Sequence, residues 1–271
     1  MMTSANKAKN FLIRDWRINT SYRLSFAMSF AGIFISVTMF FFISQLFGGA
    51  VSPYLKEYGG DYFSFVLIGL AFSSFVNTGM STFSTSISQA QSQGTLEAML
   101  VTPTRLSAII LFSSLWNYAF NFFNVLVYLV FGSLFFGLSL SKANIPATLL
   151  VLFLATLMFS GIGIISASFI MVFKRGNPID RLHQLASSVL SGMFFPVTVL
   201  PLWLQPFAYV VPIFYALHAM RLAVLKGYSI SARSGELLVL LGLTTVILPL
   251  SIWSFKYAVR EAKKDGTLVT Y

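Results

Sequence analysis

The chain contains no cysteine, so neither a disulfide framework nor a thiolate metal site is open to it. Histidine is nearly absent: His183 and His218 are the two, too few and too far apart for a His-rich metal site. Charge is scarce too. Asp, Glu, Lys and Arg make up 10% of the 271 residues. Soluble domains carry roughly 25%, so a soluble fold is a poor reading from the outset. Only 8 residues are acidic, and Asp61, Asp180 and Glu236 stand at the ends of apolar runs rather than inside them. A proton-coupled carrier needs ionisable relays within its spans, so this pattern argues against one. No G-x-x-x-x-G-K-[ST] occurs, and the chain has no loop of that kind to cradle ATP phosphates. No Ser–His–Asp set can be assembled, because the two histidines fall on opposite faces in the topology below.

What is present is apolar. Hydrophobic residues make up 56% of the chain, with 29 phenylalanines that read mostly as lipid-facing or packing residues. The first long run, 24–47, exceeds the 7–15 residues of a signal h-region and is long enough to span a bilayer. Further runs fall at 62–80, 106–136, 145–173, 182–200 and 236–258. The third exceeds the ~20 residues needed, so it tilts or extends beyond the bilayer. The fourth carries Gly163 and Ala167 four apart, a small-residue packing face. Between the last two runs, 201–225 is apolar but broken by Pro206 and Pro212. Its pieces are too short to cross, so it reads as an outer re-entrant helical hairpin with its turn buried in protein. Residues 1–23 interleave Lys7, Lys9, Arg14, Arg17 and Arg23 with Phe11, Leu12, Ile13 and Trp16, which predicts an amphipathic helix lying in the interface against membrane lipids.

The net charge of +10 is sorted by these runs. With six spans both termini share a side. Of the 18 Lys and Arg, only Lys56, Lys142, Arg221, Lys226 and Arg233 fall on the other. The excess marks the side of the termini as cytoplasmic, so the charge reads as basic membrane flanks rather than a nucleic-acid surface. The expectation is an all-α integral membrane protein of one domain, 1–271. It has six transmembrane helices within 24–258 and a cytoplasmic tail, 259–271. The cell inner (cytoplasmic) membrane is the expected location.

The longest polar interval between apolar runs is 81–105, STFSTSISQAQSQGTLEAMLVTPTR. Gly94 and Thr95 suit a helix start, with Thr95 as a cap and Glu97 in the first turn near the positive end of the dipole. Leu96, Met99 and Leu100 make one apolar stripe, and Pro103 ends the element. The pattern predicts a short amphipathic helix at the membrane surface. The segment resembles the EGTLE-x-L-x-x-TP signature of type-2 ABC exporter permeases, a family that includes polysaccharide, teichoic-acid and anthracycline export permeases. A second stretch resembles the family's SG-x-FFP-x-x-x-LP-x-WLQP pattern: Ser191-Gly192-Met193-Phe194-Phe195-Pro196, then Leu200-Pro201 and Trp203-Leu204-Gln205-Pro206, with Tyr215-Ala216-Leu217 and Arg221 beyond. Gln93 stands where the family often carries Glu or Arg.

The resemblance implies the transmembrane subunit of an ATP-driven exporter, paired as a homodimer. ATP and Mg would sit on a separate ABC ATPase subunit and no cofactor on this chain. The ATPase would dock on Gly94, Thr95, Leu96, Glu97, Met99, Leu100 and Pro103, as a coupling helix, and near 174–181. The substrate implied is bulky and amphiphilic: a lipid-linked polysaccharide, a lipid or a hydrophobic drug. Other readings stay open. An integral-membrane lipid or glycan transferase wants a clustered His or carboxylate constellation, which the sequence does not supply; a membrane scaffold without ATP coupling is the third. In the third run Asn117, Asn121 and Asn124 share a face, either as a pathway or subunit seam or as interhelical hydrogen bonds within one subunit. Phe194 and Phe195 are candidates to line an amphiphile path. His218 and Arg221, a turn apart in the hairpin, read as interface anchors or as ligands for an anionic headgroup or glycan.

Overall fold

In an apolar solvent a helix satisfies its backbone donors and acceptors within one segment, so long apolar runs become long helices. The structure, a computed structural model, describes residues 4–94, 106–173, 178–229 and 234–264. Helices and turns are the only regular structure among them. Helix α1 (Ser4–Ser21) bends at Tyr22 into α2 (Arg23–Val51), which tightens into a 3₁₀ segment, Ser52–Tyr58. Then come α3 (Tyr62–Ser92), α4 (Leu106–Phe136), α5 (Ile145–Phe173) and α6 (Pro178–Leu190). The short α7 (Gln205–Val210) and α8 (Pro212–Arg221) follow, the latter running into a π turn, Leu222–Lys226, and α9 (Ser234–Lys264) closes the bundle. Five of these, α2, α3, α4, α5 and α9, are long and apolar enough to cross a membrane.

Helix α3 is the axis of the bundle. Asp61 caps it, accepting from the backbone N–H of Phe63 at 3.3 Å and of Ser64 at 2.9 Å. It is the least hydropathic of the five long helices, yet 72% of its most apolar stretch is buried, against 6% for α4. This inversion follows from the solvent: lipid selects apolar side chains on the outer helices, whereas a helix enclosed by protein can carry Ser, Thr and Asn. Its Phe72, Val76 and Met80 meet Met158 and Phe159 of α5, Ile213 and Leu217 of α8 and Leu240 of α9. Towards the other end Phe83 and Ile87 join Ile110, Met171 and Ala258. On the flank, α2 and α4 run parallel through rings paired in register: Phe26 with Phe120 at 5.9 Å, Phe30 with Phe123 at 5.8 Å and Phe34 with Phe131 at 5.5 Å. The amphipathic α1 packs on α4 through Phe11 against Phe112 and Trp16 against Trp116.

The bundle thus has two ends. One gathers α1, the start of α4 and the ends of α3, α5 and α9, and carries most of the described cations. The other gathers the 3₁₀ segment, the 137–144 loop, α7, α8 and the start of α9. It is tied by Asn144 N–H to the Ala223 carbonyl at 2.9 Å.

Two elements differ from the sequence expectation. The second span, expected over 62–80, continues as helix to Ser92, because the polar residues beyond Met80 form an exposed helical face rather than a loop. The fifth, expected over 182–200, is a 13-residue helix followed by irregular chain. Thirteen residues rise only ~20 Å, short of the ~30 Å hydrocarbon layer. Gly192 takes φ +70° and Pro196 lacks a donor, so the helix cannot continue. The 201–225 stretch does form two helical pieces. They break at Val211, extended at φ −80° and ψ 119° as a residue before proline must be, with Pro206 in the first turn of α7 and Pro212 opening α8.

The α3–α5 crossing depends on glycine. A Cβ at Gly163 would lie 2.5 Å from the Met80 carbonyl oxygen and 2.6 Å from that of Gly79, both backbone atoms that cannot step aside. Gly163→Leu should therefore cost at least about 1–3 kcal/mol and lower the Tm of the detergent-solubilised protein. Gly32→Leu, at a site with nothing within 4 Å, should leave it unchanged. Equal melting of the two variants would refute this packing.

Candidate functional site

Every fully exposed side chain on α3 is polar: Asn77, Thr85, Ser88, Gln89 and Ser92, with half-exposed Ser81 between the first two. The order 77, 81, 85, 88, 92 follows the helical repeat and makes one continuous face. The outer faces of the other long helices are apolar, with Met39 and Phe42 on α2, Leu134 on α4, Phe153 on α5 and Val246 on α9 exposed. Asn77 lies 15 residues into α3, ~22 Å along the helix and so within hydrocarbon depth. A polar face there cannot be solvated by lipid.

The face is the floor of a groove. On one side stands α4: Asn121 donates to the Ser74 carbonyl at 3.0 Å and to the Thr78 hydroxyl, and accepts from the Ser74 hydroxyl at 3.1 Å. On the other stands α6, whose Asp180 accepts from Ser84 of α3 at 2.9 Å and Ser166 of α5 at 3.1 Å. A recess of about 50 Å³ between Asn77, Ser81, Asp180, His183 and Gln184 marks where α6 meets the floor. Several floor hydroxyls bond back to their own helix, Ser81 to the Asn77 carbonyl at 2.8 Å and Ser92 to that of Gln89 at 3.0 Å. This satisfies each donor and leaves oxygen lone pairs facing outward.

The residues singled out in the sequence fall in different places. Of the asparagine face, Asn121 is spent on joining α4 to α3, Asn124 is half buried with an Oδ1 that makes no hydrogen bond, and Asn117 is exposed one turn from Asn121. Gly94 is the last described residue before the expected coupling helix, whose start lies outside the described residues. It adopts φ +65° with its N–H on the Gln91 carbonyl at 3.0 Å, terminating α3 as a left-handed cap. Thr95, Leu96, Glu97, Met99, Leu100 and Pro103 lie outside the described residues, as do 174–177 of the second expected docking loop. Phe194 stacks on Phe40 of α2 at 5.6 Å, and Phe195 is half buried. The α3 face was available to sequence reading as a polar repeat of period 3.6, but it is split between an apolar run and the polar interval after it.

His218 and Arg221 are buried rather than presented at an interface, at 8% and 2% exposure. The Arg221 guanidinium donates to three backbone carbonyls: Phe65 at 3.1 Å, Gly192 at 2.9 Å and Met193 at 2.8 Å. It also lies over the Phe65 ring, 3.5 Å from its centroid. Residue 69 must be glycine for this, since a Cβ there would lie 2.5 Å from the guanidinium. Arg221 thereby fixes the irregular chain that leaves α6 against α3.

A family model described as ABC-2 type transporter matches residues 9–225, from α1 through the π turn. The chain belongs to the ABC-2 type transporter family. Among curated proteins none matches it. An ABC-2 membrane domain is a transport permease component and not an ATPase, and the apolar helices make this permease a multi-pass membrane protein. The match includes the α3 groove and Arg221; all of α9 lies beyond it.

Because the planar fork of Arg221 serves three carbonyls, a point charge cannot replace it. Arg221→Lys should leave at least one buried acceptor unpaired and cost about 1–3 kcal/mol per acceptor lost. Its Tm should fall nearly as far as that of Arg221→Met. A Lys variant that melts like the parent would show that charge alone is required.

Proposed function

We propose that this permease is the membrane subunit of an ATP-driven exporter, in which a bulky amphiphilic substrate moves along the α3 groove. The observation that carries the reading is the polar face Asn77–Ser92 on a helix otherwise enclosed by protein. Such a face within the bilayer needs water, substrate or a second subunit against it. A second copy of the chain would close the groove into a pathway, which fits the homodimer that the resemblance implies. The basic end, where α3 emerges, is the cytoplasmic one by its lysines and arginines, which places both termini inside. The groove opens there. A separate ATPase subunit, holding ATP and Mg, docks on 95–103 immediately after Gly94, in a helix-in-groove mode in which Leu96, Met99 and Leu100 anchor and Glu97 fixes register. Lipid-linked polysaccharides, lipids and hydrophobic drugs are the substrate classes this architecture suits.

The chain has no cysteine, so single cysteines test the groove directly. Asn77→Cys and Ser81→Cys should react with a hydrophilic thiol reagent in membranes, and bound substrate should protect them. Phe42→Cys and Val246→Cys, on lipid-facing surfaces, should stay unlabelled. Silence at both groove positions would end the pathway reading. Coupling is tested separately. Glu97→Gln, which keeps shape and removes charge, should weaken co-purification of the ATPase subunit by roughly 30-fold if the carboxylate meets a cation of that partner. An unchanged pull-down would confine Glu97 to its own helix dipole.

A further inference from the structure

Helix α6 is held to the bundle differently at its two ends. Beyond its last turn Arg221 grips the Gly192 and Met193 carbonyls. In its first turn Asp180 bridges two other helices. One carboxylate oxygen accepts from Ser84 of α3 at 2.9 Å, and the other accepts from Ser166 of α5 at 3.1 Å. Both serines are buried, at 2% and 0% exposure. We infer that Asp180 is a releasable latch, and that α6 is a lid which this latch holds shut over the cytoplasmic end of the groove floor.

The two ends differ in what is lost when they let go. Releasing Arg221 takes a charged donor from three carbonyls at once and leaves the guanidinium buried, so that end is built to stay. Ser84 has an alternative. Its hydroxyl also lies 3.0 Å from the Ser81 carbonyl of its own helix. Its single proton can pass from the carboxylate to that carbonyl, and no buried donor is orphaned. Asp180 itself is half buried and stands at the basic end. Ser84 lies 22 residues into α3, ~33 Å along the helix and so at the edge of the hydrocarbon layer. A carboxylate released there is hydrated rather than stranded in lipid.

The build of α6 suits a lid. Asp180, His183 and Ser187 recur at helical spacing on its inner side, while Leu182, Leu185 and Val189 make an exposed apolar outer side. Against the floor the packing is loose: the recess of about 50 Å³ between Asp180, His183 and Gln184 on α6 and Asn77, Met80 and Ser81 on α3 has room for water. The His183 ring meets the Phe159 ring of α5 edge to face, with centroids 5.6 Å apart. A small displacement weakens such a contact without leaving a polar group unpaired.

The latch rests on the pathway reading, since a lid matters only over a floor that carries substrate, and cysteine labelling keeps the two apart. Met80, 3% exposed, lines the recess under α6. Val76, 2% exposed, lies one turn away in the core against α5 and α8. In the full-length protein in native membranes, Met80→Cys should be nearly silent to a hydrophilic thiol reagent. Adding Asp180→Leu, or Ser84→Ala together with Ser166→Ala, should speed its labelling about tenfold or more. Val76→Cys should stay silent in every background, with Tm at the parent's value. Asp180→Asn, whose amide can accept from one serine and donate to the other, should keep Met80→Cys as slow as in the parent. Met80→Cys that reacts in the parent, stays silent without the latch, or reacts equally in Asp180→Asn and Asp180→Leu would overturn the latch. So would faster labelling accompanied by a reactive Val76→Cys or a lowered Tm, which marks an ordinary structural tie. If the latch falls while Asn77→Cys still reacts, the groove stands. Silence at both Asn77→Cys and Ser81→Cys removes the groove and, with it, the lid.

Discussion

The fold depends on one guanidinium. Helices and closed barrels can cross a membrane because they satisfy their own backbone, and irregular chain at that depth is tolerated only where protein supplies the missing partners. Here the chain leaves α6 at Leu190, turns through Gly192 and does not become helical again until α7, apart from one 3₁₀ turn at Val197–Val199. Two of the carbonyls this exposes, on Gly192 and Met193, are taken by Arg221. The third donor reaches the Phe65 carbonyl on α3, so one side chain ties the irregular segment, the hairpin and the central helix together. Desolvating a guanidinium is costly, and three charge-assisted hydrogen bonds with an aromatic face beneath them offset that cost. Gly69 belongs to the same arrangement, since any side chain there would occupy the guanidinium's place.

Much of the fold was legible in the sequence because lipid is an undiscriminating solvent. A helix that faces lipid must be apolar throughout, so α2, α4, α5 and α9 were readable from their apolar runs alone. The helix buried deepest in protein is legible only in its first half. Helix α3 is relieved of the need to be uniformly apolar, so its second half, 81–92, looked like a surface interval when read as hydropathy. Its α6 neighbour was misjudged for the opposite reason. The 182–200 stretch is apolar enough to suggest a span, but Ser191-Gly192 and Pro196 set local backbone conformations that override composition.

The candidate site was legible in part for related reasons. The asparagines of α4 stand out in a phenylalanine-rich run, yet Asn121 is polar because α3 needs a partner at Ser74 and Thr78. The residues that form the groove are Ser, Thr and Gln in a segment already polar, where no single position draws the eye. Burial of His218 and Arg221 could not be read from a hairpin whose partners lie 28 to 160 positions away, at Tyr58, Phe65, Gly192 and Met193. Long-range pairing of this kind leaves no local pattern.

The groove and a cavity of about 310 Å³ at the opposite end share more than a bundle. The segment that begins as α6, one wall of the groove, becomes the Pro196–Thr198 wall of the cavity after passing under Arg221. The helix that carries Arg221 also carries His218, one turn back, on which two carboxylates of the cavity wall, Glu57 and Glu236, converge. Between the groove and the cavity there is therefore no flexible linker. Instead there is a short chain whose carbonyls are gripped, on a helix whose next turn holds the cavity together. Val211, the extended residue before Pro212, separates α7 from α8. If α6 shifts as the groove opens, the displacement passes to α8 through the clamp rather than being absorbed along the way. Such a linkage lets a change at the groove reach the opposite end without any helix having to unfold.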